Sequence, residues 1–74
     1  SSSEYREQVA GEVRAAVARN KMTATALGEA TGISRSSLHR KMQGTRSFTV
    51  EELIRVADAL GLPPSALMGQ PVTV

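Results

Sequence analysis

The chain contains no cysteine and no tryptophan, and its aromatic side chains are one tyrosine and one phenylalanine. Without cysteine there are no disulfides, thiolate metal ligands or thiol nucleophiles, so nothing covalent supplements the packing of 74 residues. Such a chain must rely on compact, locally connected elements, which helices supply better than sheets. The composition fits a reducing, cytoplasmic setting. The scarcity of aromatics leaves few platforms for stacking unpaired bases, which disfavours RNA. Long apolar runs are missing as well: no segment approaches a membrane span, and the N-terminus lacks the basic and apolar regions of a secretory signal. The lone histidine, His39, has no second ligand to share a metal. Ser36 and Ser37 lie close to it but lack the orienting acid of a catalytic triad. The expectation is therefore no enzyme, no metal, no cofactor, no small-molecule substrate and no membrane partner. Residues 1–3 read as a flexible lead, 4–69 as one domain and 70–74 as a tail.

What the sequence does have is segregated charge. Six basic residues lie between Arg19 and Arg46 (Arg19, Lys21, Arg35, Arg40, Lys41 and Arg46), against the single acid Glu29. The rest of the chain holds three basic and six acidic residues. A net charge of +2 thus conceals a basic middle between acidic flanks, the pattern of a face for a polyanion.

Periodicity and caps predict about five short helices, an all-α compact bundle. Tyr5, Val9, Val13, Ala16 and Val17 share one face of a first helix, from about Ser3 to Arg19. Thr23 caps a short second helix that turns Leu27 and Ala30 inward and stops before Gly32, a residue suited to a sharp turn. Ser34 caps a third, whose only apolar positions are Leu38 and Met42 before Gly44 ends it. Thr49 and Glu52 form a capping box for a fourth helix with Val50, Leu53, Ile54, Ala57 and Leu60 at helical spacing. A last helix starts at Pro64 and packs Leu67, with Met68 beside it.

Residues 24–43 then carry the functional signal: a helix of about two turns, a glycine turn, and a capped second helix. Gly28 is small enough for the two helices to cross closely, and Leu27, Ile33 and Leu38 fill the angle between them. The second of the pair is held by a narrow apolar stripe, so its polar face projects outward and fits a major groove. The runs Thr23–Gly28, Thr31–Ser34, Leu38 with Arg40, Gly44–Arg46, Leu53–Leu62 and Ala66–Leu67 together resemble the phage-repressor family of Cro/cI-like (lambda repressor-like) helix-turn-helix domains. The chain departs from that pattern in three places. Ala24 stands where the family often has a glutamine that supports a recognition-helix side chain and touches phosphate. Gly28 stands where alanine is usual. Lys41 stands where an apolar residue is usual, and Met42 where an acid is. The last departure predicts a buried stripe moved by one residue and a slightly rotated recognition helix.

The resemblance implies sequence-specific binding of a double-stranded DNA operator by a transcription regulator, a phage or bacterial repressor acting in the nucleoid. The recognition helix 34–43 would lie in the major groove. Base contacts would come from Arg35, Ser36, Arg40 and His39, arginine being suited to the O6 and N7 of guanine. Phosphate contacts would come from Lys21, Thr23, Ser34, Ser37, Lys41, Thr45, Arg46 and Ser47. The partner expected besides DNA is a second copy, as a homodimer on the operator, or else a further fused domain. The dimer surface is sought on the last helix and the tail. The alternative is a helical protein-interaction module that has lost DNA binding. It would carry apolar anchors on the outward face of the recognition helix.

Overall fold

A computed structural model of the chain describes residues 2–68. Ser1 and 69–74 lie outside the described residues, and with them the expected tail. Four α-helices and one 3-10 turn follow in order: α1 (Ser2–Arg19), α2 (Ala24–Thr31), α3 (Arg35–Gln43), α4 (Val50–Leu60) and the turn Pro64–Leu67. The all-helical fold thus stands, with the fifth helix reduced to a single tight turn. Ser2 and Ser3, expected in a flexible lead, belong to α1.

The starts of α2, α3 and α4 and the turn after α2 have local causes. Thr23 Oγ1 accepts from the Ala26 amide at 3.0 Å, and Ser34 Oγ from the Ser37 amide at 3.4 Å. At α4 the capping box is complete, with the Glu52 amide donating to Thr49 Oγ1 and the Thr49 amide to Glu52 Oε1. Between α2 and α3, Gly32 takes φ +77° and donates its amide to the Gly28 carbonyl. Thr31 completes that turn: its buried hydroxyl donates to the Leu27 carbonyl at 2.8 Å and accepts from the Ile33 amide.

The core gathers one stripe from each helix. Val9, Val13, Ala16 and Val17 of α1 meet Leu27, Ile33, Leu38, the α4 residues Leu53, Val56, Ala57 and Leu60, and Leu67. Leu27, Leu38 and Leu67 are fully buried, each contributing about 1.5–3 kcal/mol of transfer free energy. Met42 packs at the margin of this core, and so do Met22, Phe48 and Leu62. Four residues placed inward by spacing alone stay out of it: Tyr5 is 46% exposed, Ile54 48% and Val50 71%, and Ala30 of α2 is exposed as well, its place taken by the buried Thr31. Val50 and Ile54 lie on the flank of α4, and Val56, between the periodic positions, goes inward instead. Met68 is likewise exposed.

Candidate nucleic-acid interface

The third helix is held from behind by cations of its neighbours. Arg6 of α1 donates from Nε to the Gly44 carbonyl at 2.7 Å. Arg14, two turns further along α1, donates to the Met42 carbonyl. These carbonyls lie at the C-terminal end of α3, where the unsatisfied oxygens and the helix dipole make the end partly negative. Gly44 permits the approach. It is buried and takes φ +86°, a conformation glycine adopts freely, which lets the chain leave α3 with its last carbonyls turned toward α1.

A third cation acts from α3 itself. Lys41 is only 8% exposed, and its Nζ lies 2.6 Å from Glu52 Oε2. Glu52 is thereby shared: Oε1 closes the α4 capping box while Oε2 takes the lysine. Burial alone would push the Glu52 carboxyl up. The hydrogen bond from Lys41, the Thr49 amide, the lysine charge and the Thr49 hydroxyl more than offset that and hold it below its ordinary value. This corrects the reading that the buried stripe has moved. Leu38 and Lys41 are the buried residues of α3, so its inward register keeps the usual spacing and a lysine fills an apolar slot by pairing with an acid. Lys41, expected at a phosphate, has its ammonium committed to Glu52 at the back of the helix.

The opposite face of α3 is left open. Arg35, Ser36, His39 and Arg40 are exposed and together line one concavity of about 640 Å³. Among the described residues, Arg35, His39 and Arg40 have no side-chain hydrogen-bond or ion-pair partner. Lys21, Arg46, Thr45 and Ser47 are exposed in the segments flanking the helix-turn-helix. Thr23 and Ser34 have their hydroxyls at helix starts as caps, Ser37 is half-buried, and the Thr45 hydroxyl donates to the Arg40 carbonyl at 3.0 Å. Beside the concavity, separated from it by Arg35, a second cleft of about 320 Å³ opens between α2 and the start of α3. Its lining includes Ala24, Thr25, Gly28, Ile33 and Glu29.

Sequence reasoning placed the outward face but missed Arg6 and Arg14. Both are arginines in an exposed-looking helix pattern, and only the tertiary crossing of α1 over the end of α3 gives them carbonyls to hold. Among the described residues no group of acids and histidine is arranged to hold a metal, and no helix is long and apolar enough to cross a membrane.

A short helix, a glycine turn and a capped second helix with a polar outward face, all carried on a four-helix bundle, define the class of helix-turn-helix domains. The chain belongs to that family: a helix-turn-helix domain family model matches residues 8–67. No curated protein and no solved structure matches it.

Proposed function

We propose that the chain is the DNA-reading domain of a transcription regulator, of the Cro/cI-like repressor kind, binding duplex DNA sequence-specifically with α3 in the major groove. The observation that carries this reading is the division of cations around α3. Arg6, Arg14 and Lys41 are spent on holding the helix, whereas Arg35 and Arg40 stand exposed and unpaired on its outward face. A helix mounted in this way presents arginines to a partner of high negative charge with guanine edges to read. No apolar anchor stands on that face, so the protein-interaction alternative gains no support there.

In this reading Arg35, Ser36, His39 and Arg40 meet base edges. Lys21, Arg46, Thr45, Ser47, Ser37 and the caps Thr23 and Ser34 meet phosphates, helped by the free first-turn amides of α2 and α3. Lys41 is withdrawn from the phosphate set. Two copies on an inverted site would place their third helices about one DNA turn apart, near 34 Å.

Selection from a randomised duplex library at low and moderate salt tests the proposal. Enrichment of a defined half-site, single or inverted, is the expected result. Unselective binding that vanishes as salt rises would leave only the electrostatic term and overturn sequence-specific reading. Absence of binding at both salts would turn the assignment toward a protein partner.

A further inference from the structure

The cleft between α2 and the start of α3 has a chemistry unlike the concavity beside it. Ala24 and Gly28 form one wall, Ile33 lines it from the turn, and Arg35 stands at the rim shared with the base-reading face. Apart from Glu29 and Arg35 its lining residues are uncharged, and Thr25 offers the one side-chain hydroxyl there. A polar base edge would find few matching groups. What fits is a small apolar group brought in beside the Arg35 guanidinium.

The major groove offers one such group, the 5-methyl of a pyrimidine, carried by thymine and by 5-methylcytosine alike. Where that pyrimidine directly precedes a guanine on the same strand, its methyl lies beside the O6 and N7 edge that an arginine grips. One side chain can then hold the guanine while its own flank and the cleft wall enclose the methyl.

We propose that the cleft rimmed by Arg35 reads the 5-methyl group of the pyrimidine immediately 5′ to the guanine bound by Arg35. The preferred step is then thymine–guanine or 5-methylcytosine–guanine over the unmethylated cytosine–guanine. The proposal rests on the DNA-reading function above and adds to it the identity of the neighbouring base. Ala24 becomes a specificity residue, because its small side chain keeps the cleft open. A longer side chain at this exposed first-turn position would fill it without touching the core.

The test uses the unaltered chain and a selected duplex. The relevant guanine is the one whose preference disappears in Arg35→Ala. Replacing the thymine before it by uracil removes only the methyl and should weaken binding about fourfold, the worth of one buried methyl. In a duplex with cytosine at that place, 5-methylation should strengthen binding by a similar factor; a gain in one arm alone tells which base the cleft prefers and still supports methyl reading. Ala24→Gln should bind thymine and uracil duplexes alike while retaining specific binding. Equal binding of the methylated and unmethylated forms in both arms, with specific binding intact, would overturn the methyl reading alone. A methyl preference that persists in Ala24→Gln would overturn the role of the cleft. No specific duplex binding by the unaltered chain would overturn the DNA-reading function and this inference together.

Discussion

Lys41 and Lys21 are both cations of the basic middle, and the fold treats them in opposite ways. Lys41 lies in the apolar stripe of α3, where its charge is acceptable only because Glu52 is 2.6 Å away. Lys41→Met leaves that carboxylate without its strongest partner, so a loss of about 1.5–3 kcal/mol is expected in urea unfolding. Adding Glu52→Gln should recover part of it, since no uncompensated charge remains. The pH dependence has a definite sign. The Glu52 carboxyl is held below its ordinary value in the folded chain, so its contribution is whole above the unfolded value of about 4.3 and fades as pH falls toward the folded one. Acid titration of stability should accordingly be steeper in the parent chain than in Lys41→Met. Lys21 carries strain instead. It lies in the turn just after α1 at φ +52°, the one non-glycine residue with positive φ among those described, and its amide donates to the Ala18 carbonyl at 3.1 Å. Lys21→Gly should raise stability by up to about 1 kcal/mol, because glycine adopts that conformation freely. The same change should weaken binding to every duplex if Lys21 meets phosphate, so a calorimetric gain paired with an affinity loss is the expected signature.

At the scale of elements, the helix starts were legible in the sequence because capping is local chemistry. Thr23, Ser34 and the pair Thr49 and Glu52 all stand where the hydroxyl and carboxylate rules put them. The glycine stops were equally readable, since Gly32 and Gly44 each take a positive φ after a helix. Inward faces were less so. Periodicity admitted Val50 and Ile54 to the buried face of α4, but a helix packed on one side buries only the arc its neighbours cover, and that arc centres on Leu53, Val56, Ala57 and Leu60. Lys41 was misjudged for a different reason. A lysine in an apolar register looks like a displaced stripe unless its acid is known, and Glu52 lies eleven residues away across a loop. The outward face of α3 was readable because it follows from which positions are buried, and Leu38 alone nearly fixes that.

Across the whole molecule, seven of the nine Lys and Arg residues divide into two groups. Arg6 and Arg14 are tied to backbone carbonyls and Lys41 to Glu52, while Arg35, Arg40, Arg46 and Lys21 face outward. Net charge cannot separate the two groups, whereas salt can. Arg6→Ala should lower stability by about 1–2 kcal/mol and leave the slope of log affinity against log salt unchanged. Arg46→Ala should leave stability nearly untouched and reduce the slope by about 0.9, one phosphate contact. Equal slopes in the two variants would remove Arg46 from the phosphate set. The same division has a bearing on how such a domain can diversify. The grips on α3 fall at Leu38, Lys41 and the carbonyls of Met42 and Gly44, behind and beyond the turn that carries Arg35 and Ser36. Residues 35, 36, 39 and 40 can therefore be exchanged like the bit of a tool whose chuck is left alone, and a lineage built on this scaffold can acquire new target sites without first having to solve the folding problem again.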